Sequence, residues 1–413
     1  MTNNWWSYYK FREEPNLSTE PLLTSKELEL FVGRDEDFRK IDARLHGRTT
    51  KSILITGPPG SGKSSFVSRL LINTHCFIRV NLSKSKSIFD ADIDIAEEFV
   101  NAVESFDEET AERCRNRLTA TVAETTGRQL QAGFAPGGMG VSGSSIYQKT
   151  IAPIRSIEIT AVIRKCIEAI QSEGLKISLF IDETDFFDDG GVEWLAKLTQ
   201  RLKEVLPDGS ILIAANRDLN NKMSDAFQSS RSLMRSAFHY HHELGPAFCT
   251  KTDDLDELMK KRFFTGKPGK DYVKPFTADA GKSILALSGG NFRTLITYIE
   301  SILIQGAEEK ITVPLIENFA RMNLQNEYDE ASIHSDQEEG ILRYLAESPS
   351  HLSDKGFKKL MPRSTLHEIL MNLEDRSLVR RSTKRRGIKQ IYSLTPKAEY
   401  LLKYSDIREN PVH

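Results

Sequence analysis

The sequence predicts an α/β protein in which a parallel sheet lies between two helical layers, followed by a helical region and a small basic domain. Three observations predict it. Short, almost uninterrupted apolar runs recur with helix-length segments between them: SILIT from Ser52, CFIRVNLS from Cys76, ISLFID from Ile177 and ILIAAN from Ile211. Strands covered on both faces have this character, whereas half-exposed strands alternate. A glycine-rich turn, GPPGSGKSS, separates the first run from the helical pattern FVSRLL. The third observation is charge: a formal net charge of −2 conceals 15 Lys+Arg against 10 Asp+Glu from Glu338 to His413, with 41 against 48 in the remainder. A basic domain on an acidic body points to a polyanionic partner, and a nucleic acid is the common one.

The 413 residues exceed one ordinary compact domain, so two or three are expected. With 39% hydrophobic and 28% charged residues, the composition excludes a disordered or collagen-like chain. No run of about eighteen uncharged apolar residues occurs, and MTNNWWSYY offers neither a basic start nor an apolar signal core. Neither a membrane span nor secretion is expected. Cys76, Cys114, Cys166 and Cys249 lie far apart without a C-x-x-C spacing, which predicts reduced thiols and a cytoplasmic location.

Residues 1–30 mix aromatics with prolines and show no sustained period, so they read as an arm. The sheet-bearing base is expected over 31–246, with FHYHHEL from Phe238 as a fifth strand and an insertion at about 84–176. That insertion holds GFAPGGMGVSG, in which Gly138, Gly140 and Gly143 match G-x-G-x-x-G literally. A dinucleotide site is rejected there because no buried strand precedes the glycines. Helical segments fill 247–330. From 331 to 413 a polar linker leads to GILRYLAE, DKGFKKLM and STLHEILMNLEDRSLV, three short helices, and to a hairpin, VRRSTKRRGIKQIYSL, with a basic tip. This order is a winged-helix pattern. Arg363, Ser364, Thr365 and His367 would then face a major groove of double-stranded DNA, and Arg380, Arg381, Lys384, Arg385, Arg386 and Lys389 its phosphates.

The strongest chemical signal is Gly57-Pro58-Pro59-Gly60-Ser61-Gly62-Lys63-Ser64, followed by Ser65, which fits G-x-x-x-x-G-K-[ST] after a buried strand and at the opening of a helix. Its glycines let backbone N–H groups close around phosphates, Lys63 reaches the β and γ oxygens of ATP, and Ser64 holds Mg2+. Asp182 and Glu183 end the third apolar run, at the carboxyl edge where open α/β sheets bind ligands. Asp182 is expected in the Mg2+ shell and Glu183 as the base for the attacking water. FDDGG, just beyond, reads as a turn. Asn216 ends the fourth run and is placed to position the same water. Arg217, Arg231 and Arg235 precede the fifth, and an arginine there can act across a subunit interface on a neighbour's phosphates. His239, His241 and His242 alternate along a strand and are expected to be packed or solvated, not metal-bound.

Taken together, FVGRDEDFRKI (Phe31 to Ile41), the phosphate loop, IDE, the Asn of AAN and GGNFR (Gly289 to Arg293) resemble AAA+ ATPases, and among them the origin-recognition type of replication initiator. With the winged helix, the resemblance covers nearly the whole chain. It implies a P-loop base, a helical lid, self-assembly or a protein partner in the ATP state, and slow, partner-regulated hydrolysis. It also implies that Phe31, Val32, Gly33 and Arg34 lie against the adenine, that Asn216 is sensor 1, and that Arg293 is sensor 2, reaching the γ-phosphate from the lid. The long insertion departs from the family's minimal core. HYHHELGPAF departs as well, and Gly245-Pro246 is similar to the signal-transduction ATPases with numerous domains. Two other readings therefore stand beside the DNA-binding switch: a signalling or defence ATPase whose winged helix and insertion bind proteins, and a transposition regulator.

Overall fold

The structure, a computed structural model, describes residues 20–45, 51–58, 60–85, 87–132, 152–184, 189–206, 208–215, 236–245, 252–263, 274–289, 291–305, 310–320, 336–347, 349–351, 354–376, 378–382, 391–395, 397–399 and 402. In chain order, a single capped helical turn, α1 (Ser25–Leu28), precedes α2 (Asp35–Leu45), β1 (Lys51–Thr56), α3 (Lys63–Leu71) and β2 (Cys76–Asn81). Then come α4 (Ile88–Glu104), α5 (Glu108–Ala132), α6 (Ala152–Ser172), β3 (Ile177–Asp182), α7 (Asp189–Val205), β4 (Gly209–Ala215) and β5 (Tyr240–Glu243). The remainder holds α8 (Thr252–Phe263), α9 (Ala278–Leu287), α10 (Phe292–Gln305), α11 (Asp336–Glu347), β6 (Ser350–His351), α12 (Lys355–Leu360), α13 (Arg363–Asp375), β7 (Val379–Ser382) and β8 (Ile391–Leu394).

The chain divides into two compact units. One consists of Asp35–Gly57 and Lys63–Leu244 and is built on a five-stranded sheet of order β2-β3-β4-β1-β5, parallel throughout. The near-continuous apolar runs have the physical reason inferred above: every residue of β3 and of β4 is buried, so neither strand has a face free for polar residues. Because β3 and β4 lie between β1 and β2, the register brings four strand ends to one edge. Thr56 pairs with Ala215, Ile181 with Ile213, and Asn81 with Asp182.

Most of the insertion is helical. Ile95, Phe99 and Val103 of α4 and Ile163, Cys166, Ile167 and Ile170 of α6 share a core with Ile78, Val80, Leu179 and Ile181 of the sheet. The glycine-rich segment 133–143 lies outside the described residues. Asp189, Gly190 and Gly191, expected as part of a turn, instead open α7. The apolar stripe of that helix, Leu195, Leu198 and Leu202, is buried in the same core.

Where β4 begins, the sheet leaves room for hydrogen only. A Cβ built on Gly209 would fall 2.7 Å from Leu206 Cδ2 and 2.8 Å from the carbonyl oxygen of Ile177. Since that oxygen belongs to the paired backbone of β3, the contact cannot relax by a side-chain rotation. Gly209→Ala is expected to lower the unfolding free energy by about 1–3 kcal/mol in urea denaturation, the cost of overpacking a rigid core.

The other unit consists of the described residues of Met1–Arg34, Pro58–Gly62 and Gly245–His413. Its single apolar core runs from Val32, Leu255, Met259, Ile284, Ile299 and Phe319 to Ile341, Phe357, Leu366, Leu373 and Tyr392. The C-terminal part contains α11, α12, α13 and an antiparallel sheet of order β6-β8-β7. The sequence pattern predicts a two-stranded hairpin here. β6, the third strand, spans two residues, too short for a period to show. Among the described residues no helix is long and apolar enough to cross a membrane.

Candidate functional site

The phosphate loop leaves the buried end of β1 and enters α3 at Lys63. Two of its residues have left-handed backbone, Gly60 with φ 73° and Gly62 with φ 80°, a conformation costly to a residue with a Cβ. The first turn of α3 contains no acidic residue, so the positive end of its dipole is not neutralised from within the helix. Lys63 Nζ donates to the carbonyl oxygen of Gly57 at 2.9 Å. Ser61 Oγ is buried with no hydrogen-bonding partner among the described residues. Such an orphaned donor suits a loop that wraps an anion. Pro59 lies outside the described residues, and Ser65 is half-buried on α3.

Asp182 is buried at the end of β3, where its carboxylate is held at both oxygens. Oδ1 accepts from Ser64 Oγ at 3.1 Å and from the N–H of Glu183 at 3.0 Å, and Oδ2 accepts from Arg79 Nη2 at 2.9 Å. A serine hydroxyl touching a carboxylate is an oxygen-only donor pair of the kind Mg2+ takes, completed by phosphate and water. Ser64 and Asp182 therefore fit that ion. Arg79 belongs to no motif of the sequence. Its signal there is faint: one cation inside the otherwise apolar run CFIRVN.

Glu183 is exposed between two buried neighbours and has φ 57°, one of two non-glycine residues in the left-handed region among the described residues. The buried Thr184 anchors the chain just beyond it, donating from Oγ1 to the carbonyl oxygen of Ala214 on β4 at 3.0 Å. A backbone outlier held by bonds on both sides is a recurrent mark of functional positions.

Arg34 is the other such residue, with φ 65° after Gly33 at φ 75°. Its guanidinium donates to the carbonyl oxygens of Ser61, in the phosphate loop, at 3.1 Å and of Gly245, just after β5, at 2.7 Å. Phe31 and Val32 are buried, Val32 in the core beside Leu255 and Ile284, and Lys261 Nζ donates to the carbonyl oxygen of Phe31 at 2.9 Å. Arg293 is exposed at the start of α10. Asn216, Arg217, Arg231 and Arg235 lie outside the described residues.

His239, just before β5, and His241 and His242 within it are packed against polar partners. His239 Nδ1 accepts from the N–H of Ser52 at 3.1 Å, His241 Nε2 meets Thr56 Oγ1 at 2.8 Å, and His242 Nε2 meets Asp37 Oδ1 at 3.0 Å. Burial pushes the pKa of His239 and of His241 down, with Lys203 and Lys51 adding to the effect at His239 and His242 at His241. Among the described residues no cluster of His, Cys, Asp and Glu is assembled for a metal.

In the C-terminal part, Arg363 and Ser364 are exposed and Thr365 and His367 half-buried on the first turns of α13. Strand alternation then separates the two arginines of β7. Arg380 is exposed and donates from Nε to Ser393 Oγ at 3.0 Å, whereas Arg381 is only partly exposed and pairs with the buried Glu374 at 3.5 Å. Lys384, Arg385, Arg386 and Lys389 lie outside the described residues.

Residues 30–213 match the family model of the AAA ATPase domain. Among solved structures, the Orc1 protein of Aeropyrum pernix in complex with DNA is 13% identical, covering 94% of this chain and 96% of that one with a TM-score of 0.42. Cdc6p of Pyrobaculum aerophilum is also 13% identical over 94% and 99% of the two chains, again at 0.42. A RuvB variant of Thermotoga maritima is 17% identical over 92% and 98%, at 0.41. No curated protein matches the chain in sequence. The stretch that matches the AAA ATPase domain model contains the glycine-rich turn between β1 and α3, the paired Ser64 and Asp182, and strands β1 to β4 of the parallel sheet.

Proposed function

We propose that the protein is an ATP-hydrolysing molecular switch that binds double-stranded DNA through a C-terminal winged-helix domain and assembles with itself or a protein partner in the ATP state. The observation that carries the ATPase reading is the contact of Ser64 with Asp182, which joins the phosphate loop's helix to the carboxyl end of β3. Mg2+, when bound, offsets the charge on the β and γ phosphates. The chain's own groups do the rest. Backbone N–H groups of Gly60 to Ser64 receive phosphate oxygens, Lys63 exchanges the Gly57 carbonyl for the γ-phosphate, and the exposed carboxylate of Glu183 takes the proton of the attacking water. Asn216 would orient that water. Arg293, and Arg231 or Arg235 of an adjacent copy, would contact the γ-phosphate, and Phe31 to Arg34 would border the adenine. Relaying nucleotide state to the C-terminal domain requires only that ATP favour one arrangement of the protein over another.

The DNA reading rests on three helices and a small antiparallel sheet in winged-helix order, with an exposed Arg363 opening the third helix and an exposed Arg380 on β7. Its test is the salt dependence of duplex binding. Replacing Arg380 by Gln is expected to weaken binding and to flatten the slope of log K against log salt by about 1, near 0.9 for the phosphate no longer neutralised, whereas replacing Arg363 by Gln should weaken binding at the groove. An unchanged slope, or no duplex binding by the unaltered protein, would transfer the C-terminal domain and the helical insertion to the protein-partner reading.

A further inference from the structure

The phosphate loop touches a side chain that lies outside its own motif. A Cβ built on Gly60 would fall 2.5 Å from Oδ1, 2.7 Å from Nδ2 and 3.0 Å from Cγ of Asn291, so the amide group of Asn291 is packed onto the α-carbon of Gly60. Both residues belong to the same compact unit. Glycine is thus required at position 60 on two counts, the left-handed backbone and the closeness of this amide.

Asn291 is itself firmly placed. Its Oδ1 accepts the N–H of Thr294 at 3.2 Å, a cap on α10. Its N–H donates to the carbonyl oxygen of Ser288, and its own carbonyl oxygen accepts from the N–H of Leu295 at 2.9 Å. The helix that follows is anchored by Leu295, Ile296, Ile299, Ile302 and Leu303, none of which is exposed. A shift of the loop at Gly60 therefore meets the end of a well-packed helix, two residues before Arg293. A soft surface contact would absorb such a shift, whereas packed cores and interfaces transmit it.

We propose that Asn291 is a positioning residue, clamping the phosphate loop at Gly60 to the start of α10 and so setting how long a nucleotide stays bound. The inference rests on the reading of the loop as a nucleotide site. It concerns the asparagine of GGNFR, two residues before the arginine to which the resemblance gives a role.

Asn291→Ser tests it, since serine caps helices nearly as well as asparagine but does not reach Gly60. With the full chain and a fluorescent ATP analogue, thermal melting is expected to stay within about 2 °C while dissociation quickens about tenfold, the size of a typical coupling between residues in contact. Asn291→Asp, which keeps the shape and the cap but turns a carboxylate toward phosphate, should lose more affinity than Asn291→Ser. Gly60→Ala should weaken binding by a smaller factor in the Asn291→Ser background than in the unaltered protein, because only the backbone penalty is left. A dissociation rate within about twofold of the unaltered protein, slower dissociation, or strictly multiplicative effects of the two substitutions would overturn the proposal. If the unaltered protein binds the analogue and Lys63→Ala abolishes that binding, an inert Asn291→Ser removes this inference alone. If the unaltered protein binds no analogue, the nucleotide reading fails first and the inference with it.

Discussion

Replacing Lys63 by alanine is expected to abolish nucleotide binding and leave the fold intact. The ammonium sits at the first position of α3, 2.9 Å from the carbonyl oxygen of Gly57, in a loop that bends back toward it. With a triphosphate present, the same group would meet a doubly charged γ-phosphoryl in a loop whose other donors are neutral N–H groups. Removing one partner of such a charge-assisted contact costs about 2–5 kcal/mol, or roughly 30-fold to 4,000-fold in affinity. The helix does not depend on this side chain, because the apolar residues Phe66, Val67 and Leu71 hold α3 on the sheet. Isothermal titration with ATP and Mg2+, beside a thermal melt without nucleotide, checks both halves. Retained affinity in Lys63→Ala would show that the loop is not the nucleotide site, however well its sequence fits.

Much of the fold and part of the site were legible from local signals. A strand buried on both faces is mostly apolar, so β1, β3 and β4 announced themselves, and the turn between β1 and α3 needs glycines that few other turns need. Legibility failed where a side chain bonds to distant backbone. Arg34 reaches across 211 residues of sequence to Gly245, and nothing in either segment's periodicity encodes that. Arg79 is similar: it reads as an interruption of a strand until the register sets Asn81 opposite Asp182 and brings its guanidinium to the carboxylate. Arg380 and Arg381 look equivalent in the sequence, as basic residues at the base of a hairpin. The pleat separates them, leaving one exposed and binding the other to a buried glutamate. The left-handed backbone of Glu183 is likewise silent in the sequence, since glutamate favours no such conformation.

Glu183→Gln should preserve ATP binding and stop turnover. The substitution keeps shape and hydrogen-bonding reach but removes the basicity that takes the water's proton, and general-base catalysis is worth about 100-fold to 10,000-fold in rate. Asp182 is engaged by Ser64, Arg79 and the N–H of Glu183 and is buried, whereas Glu183 is exposed. The position is also strained, for a left-handed glutamate costs roughly 1–2 kcal/mol that glycine would not. Glu183→Gly should therefore be as inactive as Glu183→Gln yet about 1 kcal/mol more stable to urea, a stability gained at the expense of function. The pair separates two explanations for an inactive variant. If both fail to hydrolyse ATP while binding it normally and the glycine variant unfolds later, the strain serves to present the carboxylate. If the glycine variant is instead destabilised, the side chain of Glu183 is structural. If either variant still turns over at the native rate, the base lies elsewhere in the chain.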